Sequence, residues 1–170
     1  DYGVNLAPVA QDTSCPNTPA KISVWHALRP DEAAAFEEIA GNFALECPGV
    51  EVNFEYVDYD EISNKFAEAV KAGEGPDALF ESSRWLPPLA QQKVLRDISG
   101  RVSANLLQQF IPGAVESMRQ KGRLFGIPES VTTLALFYNR GLTKKVPIDL
   151  DELLQNVGPN QRLALPATFY

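Results

Sequence analysis

At 170 residues the chain has room for one ordinary domain, or for one lobe and part of another. Its 15 basic against 22 acidic side chains give a net charge of -7 with no basic cluster. That argues against nucleic acid as a partner, because phosphate contacts need concentrated positive charge. No apolar run approaches the roughly 18 residues of a membrane span.

Residues 1–20 mix Asn5, Pro8, Asp12, Pro16 and Pro19 without periodicity, and are expected to form an extended lead-in or tether. They lack the basic start and long apolar middle of a signal peptide. Lys21-Ile22-Ser23-Val24-Trp25 is the first predicted strand, followed by a loop from His26 to Pro30. Phe36, Ile39, Ala40 and Phe43 then fall at helical spacing, with Asp31 and Glu32 at the positive end. This helix is expected to stop at Cys47-Pro48-Gly49. Val50, Val52, Phe54 and Tyr56 alternate with Glu51, Asn53 and Glu55, the clearest strand pattern in the chain. Ile62, Phe66, Ala69 and Val70 predict a second amphipathic helix, closed by Gly73.

The next stretch, Gly73 to Trp85, organises the reading. Glycine and proline end the preceding helix and set a turn, and Ala78-Leu79-Phe80 is long enough only for a short buried strand. Directly after it come Glu81, Ser82, Ser83, Arg84 and Trp85. In open α/β sheets ligands bind outside the carboxyl ends of the strands. A carboxylate, hydroxyls, a guanidinium and an indole there suit a polyhydroxylated ligand. The plainer reading is a strand-to-helix turn capped by Ser82 or Ser83. Strand, helix, strand, helix, strand implies right-handed crossovers and a largely parallel sheet.

Helical pieces are expected at 86–92, 104–110 and 113–120. Two apolar runs, 124–128 and 134–138, flank the polar stretch Glu129 to Thr133, read as a crossing between lobes. A short helix at 150–154 and a strand at 162–165 follow, and the chain ends at Tyr170. One histidine and two cysteines without C-x-x-C spacing leave too few ligands for a structural zinc, and neither a metal nor a cofactor is expected. Taken alone, Cys15 and Cys47 fit either one disulfide in an oxidising compartment or two buried thiols.

Three segments in this order resemble the extracellular solute-binding proteins of ABC importers, in particular the maltose-binding-protein-like carbohydrate group. They are Lys21 to Trp25, the run Gly73-Glu74-Gly75-Pro76-Asp77-Ala78-Leu79-Phe80, and Gly122 to Pro128 followed by Leu136-Phe137-Tyr138-Asn139. The resemblance implies a periplasmic-binding-protein type II α/β fold, in which two lobes close on a ligand by hinge motion. Lobe one would span 21–129, and 130–170 would be the incomplete beginning of lobe two. The implied ligand-binding residues are His26 and Arg29 in the first loop, with Ala27 between them. Glu81, Ser82, Arg84 and Trp85 form the second loop, Glu129 and Thr132 with Thr133 the crossing, and Tyr170 the next contact.

The implied function is extracellular or periplasmic capture of a carbohydrate for an ABC transporter permease, with the lead-in as a membrane tether. Ala27 and Pro30 stand where maltose-binding members carry charges, and Glu81 where they carry a cleft tryptophan. These departures argue against maltose itself and leave the solute open. Carboxylates and guanidinium forks recognise sugar hydroxyls, and an aromatic face covers the C–H side of a pyranose. Trp85 is alternatively core beneath its own helix, and Arg29 and Arg84 alternatively surface charges.

A sensing domain of the same fold, fused to a permease or receptor, is the alternative function. An enzyme working through Glu81 and Glu129 is the weakest, for the chain has no G-x-S-x-G, phosphate loop or Ser/His/Asp set. A half-cleft is expected to hold sugar only weakly. Finally, a helix returning antiparallel to its strand brings its end near the strand's beginning, so Cys15 and Cys47 are expected to pair as a disulfide.

Overall fold

The computed structural model describes residues 15, 16, 18–132, 139, 141 and 146–156. The chain divides into two compact units, Asp1–Val131 and Thr132–Tyr170.

In the first unit, strand β1 (Ala20–His26) is followed by helix α1 (Pro30–Glu46), strand β2 (Val50–Tyr56), helix α2 (Ile62–Ala72) and strand β3 (Ala78–Phe80). The three strands form one parallel sheet in the order β2-β1-β3, so the earliest strand lies in the centre. Ala20 faces Val50 at one end, and His26 lies between Tyr56 and Phe80 at the carboxyl end. With side chains alternating along each strand, this register puts Val24, His26, Phe54, Tyr56 and Phe80 on one face. Trp25, Glu55 and Leu79 lie on the other.

The two faces carry different helices. Phe36 of α1 meets Phe80 edge-on at 4.5 Å between ring centroids and lies 6.5 Å from Phe54. No residue of α1 is fully buried, and Ile39 and Leu45 are largely exposed. On the opposite face, Phe66 and Ala67 of α2 are buried with Leu89 and Val94, and Trp25, Leu79 and Trp85 pack against them. The Trp25 indole N–H donates to the neighbouring Glu55 carboxylate at 2.9 Å.

Helix α2 ends as its glycine predicts. Gly73 takes a left-handed φ of 80°, its N–H bonds the Val70 carbonyl, and Glu74 N–H bonds that of Ala69. Gly75 lies so close to Val70 that a β-carbon there would come within 2.5 Å of its side chain. The turn then delivers Asp77 to β1. Asp77 Oδ2 accepts from the Ser23 N–H at 2.9 Å and the Ser23 hydroxyl at 3.0 Å, while Asp77 N–H returns to the Ser23 carbonyl. These bonds hold the Asp77 carboxyl below its ordinary value, the Ser23 backbone N–H contributing most.

A disulfide joins Cys15 to Cys47, with Cα atoms 5.4 Å apart, as expected. It fastens the approach to β1 onto the end of α1, at the edge of the sheet opposite His26.

Beyond β3, a 3-10 turn at Ser83–Trp85 leads into helix α3 (Leu86–Gln91), and helices α4 (Ala104–Leu107) and α5 (Pro112–Ser117) follow. Helices expected to reach 110 and 120 thus end earlier. The reason for the second is a hairpin: β4 (Arg119–Gln120) pairs antiparallel with β5 (Arg123–Leu124). Lys121 and Gly122 at its tip both have positive φ, 51° and 76°, the arrangement of a two-residue primed turn. The second unit contains helix α6 (Leu150–Asn156). Its start is closed reciprocally: Asp149 accepts from Glu152 N–H at 2.7 Å, and Glu152 accepts from Ile148 N–H at 2.9 Å. The expected apolar run 134–138, the strand at 162–165 and Tyr170 lie outside the described residues. No helix among the described residues is long and apolar enough to cross a membrane.

Candidate functional site

All three parallel strands end at the same edge, and each contributes a loop there. After β1, Ala27 to Arg29 lead into α1. His26, the last residue of β1, is buried between the rings of Phe54 and Tyr56, each 6.0 Å away, and its Nδ1 accepts from Leu28 N–H at 3.2 Å. Arg29 is exposed, with its guanidinium 3.1 Å from Glu32 and 3.5 Å from Asp31. It braces the start of α1, where Glu32 also accepts from the Arg29 N–H. A cavity of about 540 Å³ opens beside this loop, lined by residues including His26, Arg29, Glu37, Phe54 and Tyr56.

After β3, the half-buried Glu81 accepts from the Ser63 hydroxyl at 3.3 Å and from Ser82 N–H at 2.7 Å. Ser82 is exposed at the start of the 3-10 turn, and its side chain caps nothing. The Arg84 guanidinium sits 5.3 Å from the ring centroid of Tyr59 and 5.5 Å from that of Trp85, and donates to the Tyr59 hydroxyl. Trp85 is half-buried against Phe66, Leu89 and Val94. Its indole nitrogen is buried without an acceptor among the described residues.

The loop after β2 supplies Tyr59, which sequence reasoning passed over, and α2 supplies Ser63. The signal available was positional: a parallel strand ending at Tyr56 must deliver the following Asp58-Tyr59-Asp60 to the same edge. Of the expected site residues, Glu81, Ser82, Arg84 and Trp85 form one cluster, and His26 and Arg29 line the neighbouring cavity. Glu129 is exposed, and no hydrogen bond among the described residues joins it to the cluster. Thr132 is exposed at the start of the second unit, and Tyr170 lies outside the described residues. Among the described residues, no group of three or more His, Cys, Asp or Glu side chains is arranged to hold a metal ion.

Chemically, this edge offers a fixed guanidinium, a carboxylate, hydroxyls and aromatic rings, the donor set of a polar, uncharged ligand with an apolar face. Residues 27–169 match the family described as bacterial extracellular solute-binding protein. The maltotriose-binding protein of Pyrococcus abyssi is 31% identical over 143 residues, covering 84% of this chain and 31% of that one. A maltotriose-binding protein of Thermus thermophilus, solved with maltotriose, is 28% identical with a TM-score of 0.62, covering 80% of this chain and 36% of its own. A cyclo/maltodextrin-binding protein complexed with maltotetraose is 26% identical with a TM-score of 0.71, covering 85% and 37%. The chain therefore spans about a third of the length of these relatives. All three are named as binding proteins, which gives no support to a reading of Glu81 and Glu129 as catalytic carboxylates. With its parallel sheet and flanking helices, the chain has the type II periplasmic-binding fold and belongs to the bacterial extracellular solute-binding protein family.

Proposed function

We propose that the chain supplies the first-lobe wall of a sugar site that captures a short linear oligosaccharide outside the membrane and delivers it to an ABC transporter permease. The observation that carries this is the row formed by Tyr59, Arg84 and Trp85 beside Glu81, at the carboxyl edge of a parallel sheet. Proteins named for maltotriose are 28–31% identical to the chain, and the one of solved structure shares its fold. In this reading Arg84 and Glu81 bind sugar hydroxyls, the aromatic rings cover a pyranose face, and Ser82, His26 and Arg29 border the ligand. Residues 21–129 form the lobe, and the stretch from 130, with Glu129, Thr132 and Tyr170, leads to the opposing wall. The segment before β1 tethers the protein at the cell surface.

Calorimetric titration of the protein as its host makes it, against maltotriose, mannotriose and lacto-N-biose, tests the reading. Saturable binding of at least one of them is expected, at micromolar concentration or below. Absence of heat and of any tryptophan fluorescence change with all three overturns it.

A further inference from the structure

We infer that Tyr59 is a positioning residue of this site: it fixes the Arg84 guanidinium against Trp85, so that the fork meets the sugar already oriented. The inference rests on the saccharide-binding reading above.

Exposed arginine side chains lose considerable rotamer freedom when a ligand immobilises them. Arg84 is exposed and has no carboxylate within ion-pair range among the described residues, yet it is not free. It lies close to two aromatic rings and is bonded to the Tyr59 hydroxyl. One of the five guanidinium N–H donors is spent on that bond, which leaves four for a ligand.

Tyr59 itself is held in place. Val57 N–H donates to the His26 carbonyl at 2.9 Å, which ties the start of the loop to β1. Asp58 accepts from Asp60 N–H at 2.9 Å, and the Asp58 carbonyl receives Glu61 and Ile62 N–H at 3.0 and 2.8 Å. Ile62 is completely buried. The loop is thus closed on both sides of Tyr59, a residue that remains 44% exposed. Trp85, the other neighbour of Arg84, is anchored in the core. A guanidinium held by a ring on a closed loop and by a ring packed on the core has less orientation left to lose on binding.

The test is a double-mutant cycle on the whole protein, read by calorimetry with maltotriose. Tyr59→Phe keeps the ring and removes the hydroxyl, and is expected to weaken binding about three- to tenfold. Tyr59→Leu removes the ring as well, for about ten- to fiftyfold. Neither is expected to move the melting temperature by more than about 2 °C. In an Arg84→Ala background, Tyr59→Phe should cost nothing further, because a positioning residue acts only through the group it positions. Restricted rotation of the Arg84 guanidinium, measured by NMR without sugar, should be lost in Tyr59→Phe. Additive losses, or guanidinium rotation unchanged by Tyr59→Phe, overturn the inference while leaving the saccharide reading intact. A wild-type protein that binds maltotriose, mannotriose and lacto-N-biose not at all sinks both.

Discussion

The two faces of the central sheet differ in how they are finished. Beneath α2 and α3, Phe66, Ala67, Leu89 and Val94 are buried together, and Trp25, Leu79 and Trp85 close over them. Beneath α1, Phe36 meets Phe54 and Phe80 but no helix residue is fully buried, Ile39 and Leu45 face outward, and a cavity of about 540 Å³ opens at the edge. The Glu81–Trp85 cluster rests on the first of these. The ligand groups proposed above thus stand on the well-packed face, the support that holding such groups within fractions of an ångström needs.

The largest expected effect breaks this asymmetry directly. Phe66→Ala should cost about 3–5 kcal/mol by the usual measure of a buried aromatic. Phe36→Ala, whose surroundings are partly open already, should cost less than half as much. Urea unfolding of both variants, compared at constant m-value, decides it; equal losses would show the faces to be equally packed.

The disulfide sharpens the same contrast, because it fastens the end of α1 where packing does less. Removing it with Cys15→Ser and Cys47→Ser should destabilise the protein by about 3–4 kcal/mol in the chain-entropy account. Hydrogen exchange should then rise in α1 well before it rises in α2. Uniform acceleration of both helices would argue against a local role.

Much of this arrangement was legible in the sequence, and the exceptions share a cause. The alternation of Val50, Val52, Phe54 and Tyr56 located β2, and Gly73 closed α2, because each depends on neighbours in the chain. The hairpin at Lys121–Gly122 was hidden because Lys121 is not a usual residue for positive φ. The spacing of Phe36, Ile39, Ala40 and Phe43 marks α1 as a helix, and only the packing shows that the first, third and fourth are half-buried while Ile39 is exposed. Tyr59 was passed over because its partner Arg84 is 25 positions away. The Glu81–Trp85 cluster was found because its chemistry is concentrated in five consecutive residues.

A smaller effect separates function from packing. Arg84→Ala should weaken oligosaccharide binding by about 1–3 kcal/mol. It should change unfolding stability by no more than about 0.5 kcal/mol, since the side chain is exposed. If stability falls as far as affinity, Arg84 belongs to the packing of its face and not to the site.

The smallest effect concerns the bond between β1 and the approach to β3. Asp77 has its carboxyl pKa lowered by the Ser23 N–H and hydroxyl. A group depressed in the folded state stabilises fully above its unfolded value, about 4. That contribution is lost as pH falls through the folded value. Asp77→Asn should therefore flatten the acid limb of the stability profile and leave its shape above about pH 5 unchanged. A variant whose acid limb matches the wild type would remove Asp77 from the account.

The placing of β1 has a consequence for the time course of folding. It precedes both of its partners in the chain and lies between them in the sheet, so they arrive late. Trp25 bonds Glu55 across a separation of 30 residues, and Ser23 bonds Asp77 across 54. Parallel pairing over such distances must close large loops before any contact rewards them, which slows the search to milliseconds or longer. One edge of β1 can therefore pair once β2 has been made, while the other stays open until Ala78–Phe80 follows. Such a delay puts the completion of the sheet at the arrival of Ala78–Phe80.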